Sequence, residues 1–298
     1  MTIVFIGDKM NELLNNVQQK KNPLAGWYRQ PKIYVKLPSL GKFYPHGALD
    51  RSANDEYAVY SMTAKDELMF KTPDALLTGQ STVEVIKSCF PAILEPWAMP
   101  SVDLDFVLIA IRIATYGDRM DVDCKCPKCS AENTYGVSLQ PWLDMFVNFQ
   151  YSDTVQVDQL TIKIRPYSYK EITKISLKTM EQQKLFSVIN DENLDDETKL
   201  EKFGKSFVKI TELTIDIIAD CITSIETPEG ISEDKTQIKD FINNCPKDIF
   251  DVLQTHMQSM REGMEFKIKN VACGECQHAY DIPITMDNSN FFAVRSPV

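Results

Sequence analysis

Histidine is nearly missing from this sequence: His46, His256 and His278 are the three in 298 residues. His256 falls on an expected helix from Gln254 to Met260 and His278 beside a cysteine pair, so no Cys/His or Ser/His/Asp pairing is visible. Glycine is sparse, with 11 residues, and neither a phosphate-cradling P-loop nor a G-x-G-x-x-G turn occurs. Carboxylates are plentiful, but one sequence cannot pair them in space, so the expectation is a protein without catalysis. Long apolar runs are absent as well. The most apolar stretch, Leu104 to Ala114, is shorter than a membrane span and contains Arg112, which predicts a buried helix and no membrane crossing. Ile3 to Ile6 is too short for the hydrophobic part of a secretory signal, which argues against an oxidising compartment. Positive charge is in deficit, with 32 Lys and Arg against 42 Asp and Glu and a net charge of −10. That balance opposes the phosphate attraction that supplies most non-specific nucleic-acid affinity.

What the chain does have is cysteine in a pattern. Of eight cysteines, four form Cys126-Pro127-Lys128-Cys129 and Cys273-Gly274-Glu275-Cys276. Each C-x2-C places two thiolates one ligand span apart on a tight turn, and two such turns can close a tetrahedral shell around zinc. Met120, Val122 and Cys124 alternate into the first pair, and Tyr135, Val137 and Leu139 alternate out. Phe266, Ile268 and Asn270 lead into the second pair, and Tyr280, Ile282 and Ile284 lead out. This period of two predicts two β-hairpins with cysteine knuckles at their tips, the build of a zinc ribbon. The spacing departs from the ordinary ribbon: 143 residues separate Cys129 from Cys273, against about 15–20. A whole domain must therefore lie between the knuckles. The predicted cofactor is one structural zinc on Cys126, Cys129, Cys273 and Cys276. A disulfide pair would need oxidising surroundings, and a thioredoxin-like motif would need a helix where strands are predicted. Two separate metals, completed by Cys124 and His278, stay open as an alternative. Cys89, Cys221 and Cys245 lie among apolar residues and read as packed thiols.

With 44% hydrophobic and 25% charged residues, the composition is that of a globular protein, and the pattern predicts an α+β chain in three parts. Residues 1–31 form a helix, with Met10, Leu13, Leu14 and Val17 at helical spacing, and an aromatic arm carrying Trp27 and Tyr28. Residues 32–150 form a first half with strands at Ile33 to Leu37 and Tyr57 to Met62. A capping box follows at Thr63-Ala64-Lys65-Asp66, then short helices at Pro73 to Thr78 and Ser81 to Cys89. A long apolar helix, capped by Ser101 and ended by Gly117, leads to the first knuckle. Residues 151–298 form a second half. It opens with a hairpin turning at Asp158-Gln159 and a second capping box at Ser168-Tyr169-Lys170-Glu171. The acidic stretch Asn190 to Glu197 reads as a loop or helix start, and a long helix runs from Leu200 to Cys221, ending before Thr227-Pro228-Glu229-Gly230. Ser232 caps another helix, and Pro246 opens one in which Ile249, Leu253, Met257 and Met260 share a stripe. The second knuckle comes last. Hairpin, capped helix, further helices and cysteine hairpin thus recur in one order, which predicts two similar halves joined by a zinc-ribbon-like four-cysteine site.

The wording of several segments is specific: Ile33-Tyr34-Val35-Lys36-Leu37-Pro38-Ser39-Leu40-Gly41-Lys42-Phe43-Tyr44-Pro45, then Lys71-Thr72-Pro73-Asp74-Ala75-Leu76-Leu77, Met99-Pro100-Ser101-Val102-Asp103, and Ala110-Ile111-Arg112-Ile113-Ala114-Thr115-Tyr116-Gly117. On these residues the chain resembles the T-even-type bacteriophage baseplate protein family, and Asp287-Asn288-Ser289-Asn290-Phe291-Phe292 extends the resemblance more loosely. The resemblance implies a non-enzymatic tail protein acting in baseplate hub assembly, as a hub subunit or as an assembly factor. It would work in the host cytoplasm during assembly and, if retained, in the virion tail baseplate. Its partners would be hub and tail proteins, with no nucleic acid, membrane or small-molecule substrate, and the resemblance transfers no catalytic residues. Candidate contact residues are Trp27 and Tyr28 on the arm and Phe43 and Tyr44 in the loop from Leu40 to Ala48, because loop aromatics often anchor interfaces. The competing reading has these rings covering the first core. The alternative function is a zinc-ribbon nucleic-acid-binding or regulatory protein.

Overall fold

A computed structural model of the chain describes residues 23–70, 78–147, 151–189, 195–262, 267–283 and 291–292. The helix expected over residues 8–20 lies outside them, as does nearly all of the one expected from Pro73 to Thr78. The chain divides into two compact units, Met1–Pro31 and Lys32–Val298. In the first, a 3-10 turn at Ala25–Trp27 leaves Trp27 87% and Tyr28 59% exposed.

The second unit is a mixed α+β body with two cores. In the first, β1 (Pro31–Val35) pairs with β2 (Tyr57–Tyr60). The strand stops short of Leu37, which is buried at the head of a turn, because Pro38 has no N–H for a ladder. The expected capping box opens α1 (Ala64–Phe70): the Thr63 amide and hydroxyl donate to Asp66 Oδ2 at 2.7 and 2.8 Å, and the Asp66 amide donates to Thr63 Oγ1 at 3.3 Å. Next come α2 (Gln80–Cys89) and α3 (Ser101–Tyr116). Gly79 is the N-cap residue of α2, at φ 75°. A Cβ there would sit 2.9 Å from the Tyr169 hydroxyl, so only glycine fits. Eleven of the sixteen residues of α3 are buried, as expected of a helix apolar on every side. Its N-cap is Pro100, with no side-chain cap, and not Ser101. The Ser101 amide is used instead in a bridge between cores, donating to Tyr167 O at 2.6 Å while the Tyr169 amide donates to Met99 O at 2.8 Å.

Two polar groups on α3 are buried with it. Asp103 accepts from the Ser39 amide at 2.9 Å and the Ser39 hydroxyl at 2.5 Å, fixing the loop after β1. Burial raises its carboxyl to about 6, against these hydrogen bonds, which lower it. Burial of the Tyr44 hydroxyl, and after it the Asp103 charge beside it, raise that phenol well above its ordinary value. Between the usual 3.8 and about 6 the folded chain binds the proton that the unfolded chain has released, so stability falls as pH rises through that window. Asp103→Asn is therefore expected to flatten the stability profile between pH 4 and 6 and to gain up to about 3 kcal/mol at pH 7. Urea unfolding across that range would show it, and an unchanged slope would refute it. Arg112, at the other end of α3, donates to Phe291 O at 2.5 Å, and Phe292 stacks on Phe70 at 4.6 Å between ring centroids. The segment after the second knuckle thus returns to the first core.

Beyond α3, β3 (Arg119–Lys125) and β4 (Glu132–Ser138) form the first cysteine hairpin in unbroken antiparallel register. A helix that sequence reading missed, α4 (Gln140–Val147), then buries Trp142, Leu143 and Phe146. The second core is built on an antiparallel sheet in the order β5 (Thr154–Val157), β6 (Leu160–Ile164), β7 (Ile222–Thr227) and β8 (Gly230–Ser232). Between β6 and β7 stand two long helices, α5 (Tyr169–Ile189) and α6 (Asp196–Cys221). The stretch after Cys221, for which no element was expected, is the strand β7. Its residues Ile222, Thr223, Ile225 and Thr227 are β-branched and Ile222 and Ile225 are buried, so sheet pairing to β6 outweighs helix continuation. Asp234, not Ser232, caps α7 (Lys235–Asn244), accepting from the Thr236 and Gln237 amides. Last is α8 (Lys247–Glu262), whose Ile249, Leu253 and Met257 lie in the core with Ile238, Ile242 and Ile162. No helix among the described residues is long and apolar enough to cross a membrane.

Candidate metal centre

The second hairpin, β9 (Lys267–Ala272) and β10 (Ala279–Pro283), is antiparallel with a bulge between Tyr280 and Ile282. Its knuckle copies the first atom for atom in the backbone. The Cys126 amide donates to Ala131 O and the Ser130 amide to Cys126 O, both at 2.9 Å; the Cys273 amide donates to His278 O and the Gln277 amide to Cys273 O, both at 3.0 Å. Ser130 and Gln277, each just after the second cysteine of its pair, are left-handed at φ 60° and 58°. That turn is what aims both sulfurs of a knuckle the same way.

The two knuckles face each other. Cys126 Sγ lies 3.7 Å from Cys276 Sγ, Cys129 Sγ lies 3.6 Å from Cys273 Sγ, and all four sulfurs fall within 4.8 Å of one another. A sulfur tetrahedron around zinc, with bonds of about 2.3 Å, has edges of about 3.8 Å. The gaps of 3.7 and 3.6 Å are near that figure and far from the roughly 2.05 Å of a disulfide. Cys126 and Cys273 are buried, Cys276 is half-buried and Cys129 is exposed.

Electrostatics point the same way. The amides of Cys276 and Glu275 draw the Cys273 thiol down to about 6. Burial pushes Cys126 up, but the equivalent amides of Cys129 and Lys128 outweigh it and bring the thiol below its ordinary value. The Ala131 amide draws Cys129 down, but the surrounding thiols, Cys276 foremost, push it up to about 12. Thiolates this close repel, so the four cannot all ionise on their own. A divalent cation at their centre removes the repulsion and takes all four as ligands.

Neighbouring groups tie the hairpins together independently of the sulfurs. Asn133, on β4, accepts from the Gly274 amide at 2.9 Å and turns its amide nitrogen to Cys273 Sγ at 3.7 Å. The Tyr135 hydroxyl donates to Ala272 O at 2.9 Å, and Cys124 Sγ lies 3.3 Å from the Tyr280 hydroxyl. Cys124 and His278, candidates for completing separate sites, stand outside the four-sulfur group: Cys124 meets Tyr280, and the His278 ring stacks on it at 6.3 Å. Sequence reading did not find Asn133, because its role rests on a contact with a residue 141 positions away. Asn133→Ala is expected to weaken zinc affinity about tenfold, the usual cost of losing an outer hydrogen bond to a metal ligand. Competition with a chromogenic chelator measures this, and unaltered affinity would remove Asn133 from the site.

The other candidate residues are dispersed. Phe43 is half-buried with its ring edge-on to Tyr151 at 5.4 Å, and Tyr44 packs on the first core, so the exposed apolar group of that loop is Leu40, 58% exposed. His46 is exposed and His256 Nε2 lies 3.0 Å from Ser152 O.

No curated protein and no solved structure matches the chain. One family model does, described as T4 bacteriophage base plate protein, over residues 30–293. The match takes in both cores and both cysteine knuckles and covers most of the sequence: the chain belongs to the T4 bacteriophage base plate protein family.

Proposed function

We propose that the protein acts without catalysis in baseplate hub assembly, as a hub subunit or as an assembly factor, through contacts with hub and tail proteins. A structural zinc on Cys126, Cys129, Cys273 and Cys276 would hold the second unit closed. The observation that carries this reading is that the family match runs through both knuckles. The four-cysteine joint therefore lies within the part of the chain that the family covers. The contact surfaces proposed are the arm at Trp27 and Tyr28 and the loop around Leu40, all exposed, with Phe43 and Tyr44 supporting that loop. No nucleic acid, membrane or small molecule is assigned as partner. Assembly would take place in the host cytoplasm, with the virion baseplate as destination for a subunit.

We also read the second unit as an internal duplication, divided near residue 150 into 32–150 and 151–298, with 1–31 as the arm. Support comes from the knuckles and from one further correspondence. In each half the capping-box carboxylate meets a buried thiol at the end of a helix: Asp66 with Cys89 at 4.0 Å and Glu171 with Cys221 at 3.7 Å.

Deleting the gene from its phage, then examining tail intermediates and probing purified virions for the chain, tests the functional reading. Loss of baseplates with no protein in virions identifies an assembly factor, and its presence at the hub identifies a subunit. Normal infectious tails would overturn both.

A further inference from the structure

We propose that the four-cysteine joint is also a modification site, at which a hydroperoxide-class oxidant exchanges the metal for two disulfides that cross between the knuckles, Cys126–Cys276 and Cys129–Cys273. This rests on the metal reading of the joint for its starting state. The crossed pairs Cys126–Cys276 and Cys129–Cys273 approach to 3.7 and 3.6 Å. Loss of the metal does not free the knuckles to drift apart, because Asn133 still holds Gly274 and Tyr135 still holds Ala272. Thiolates therefore meet their partners across the joint before either knuckle can rearrange.

Cys129 is the exposed ligand and takes the first hit. Its thiolate attacks the peroxide; an S–O bond forms, the O–O bond breaks and hydroxide leaves as water once protonated. The Cys273 thiolate then attacks the sulfenic sulfur; the S–S bond forms, the S–O bond breaks and a second hydroxide leaves as water. Two thiolates lose two electrons to the peroxide, which becomes two waters with two protons from solvent. Only Cys126 and Cys276 would then remain to hold the zinc, half its shell, and a two-thiolate site of this kind would release it. A second peroxide repeats the step at half-buried Cys276 with Cys126 as the resolving thiol. The product is metal-free with its joint still closed, since each bridge links positions at least 144 apart in sequence. Oxidation of this centre locks the second unit where oxidation of an ordinary zinc ribbon would release it.

The test uses the zinc-loaded full chain and hydrogen peroxide, with free zinc followed by a chromogenic chelator and disulfides by peptide mapping without reductant. Lys128 separates Cys126 from Cys129, and Glu275 separates Cys273 from Cys276. Trypsin with a glutamate-specific protease therefore leaves each cysteine on its own peptide. The expected result is one zinc released for two peroxides consumed, with Cys126 joined to Cys276 and Cys129 to Cys273 in a monomer. Bridges within a knuckle, bridges between chains, or sulfinic acids without bridges would overturn the proposal. Zinc content measured beforehand separates the two readings. Crossed bridges from a chain that never held zinc would sink the metal assignment and with it the exchange, and zinc-loaded protein giving bridges within knuckles would sink the exchange alone.

Discussion

One equivalent of zinc per chain is the expected outcome of elemental analysis on protein purified under reducing conditions without added metal. Less than about half an equivalent would count against the metal centre. Iron is the other ion that suits four tetrahedral thiolates, and it would declare itself by visible colour, which zinc lacks. Cys273→Ser should have the largest effect of any single change. It removes a fully buried ligand and with it much of a metal-binding energy that reaches about 10–16 kcal/mol in zinc-dependent peptides. The two cores should survive, since each has its own apolar cluster. What should loosen is the packing of the two knuckle turns, visible as a rise in amide exchange there, while the Asn133–Gly274 and Tyr135–Ala272 hydrogen bonds keep the hairpins side by side. Full zinc occupancy and unchanged protection in the variant would refute the role of Cys273.

Glu171→Ala should be the costliest change away from the metal. Burial alone would raise this carboxyl, but Arg165 pairs with it through both oxygens, at 2.6 and 2.9 Å, the Ser168 amide donates at 2.6 Å, and together they hold it below the usual carboxylate range. Removing the carboxylate leaves the Arg165 guanidinium, mostly buried, without its counter-charge, at an expected cost of about 3–5 kcal/mol. Because the folded chain holds this group more acidic than the unfolded chain does, its contribution is present above the ordinary 4.5 and is lost as pH falls below it. The variant should therefore lose much of the wild type's acid sensitivity below pH 4.5. Equal midpoints for the two proteins at pH 7 would dismiss the ion pair as a stabilising element. Asp103 works in the opposite sense, so the two carboxylates tilt the acid side of the stability curve against each other.

The parts of the fold legible in the sequence are those specified by residues close together along the chain. Thr63 and Asp66 are three apart, as are Ser168 and Glu171, and both boxes form with the hydrogen bonds their spacing implies. The knuckles were legible for the same reason. Their meeting was an inference from chemistry, because no local pattern says that Cys129 lies beside Cys273. The strand β7 was hidden by its neighbour: the periodic apolar run of α6 leads directly into Ile222, and only pairing with β6 decides that the helix stops at Cys221. Asn133 and the return of Phe291 and Phe292 to the first core were out of reach altogether, since each depends on a partner more than a hundred residues away.

The distance between the knuckles also sets a timetable. At about 5–20 residues per second, the 144 positions from Cys129 to Cys273 put about 7–30 s between their emergence from the ribosome. For that interval Cys126 and Cys129 stand without the two sulfurs they face in the folded chain. Everything between them, including the long helix pair and the four-stranded sheet, is synthesised before the ring can shut. Closure of the four-cysteine joint thus reports that everything up to the second knuckle has been made, and a chain cut short before Cys273 keeps an open pair of thiols that marks it as unfinished.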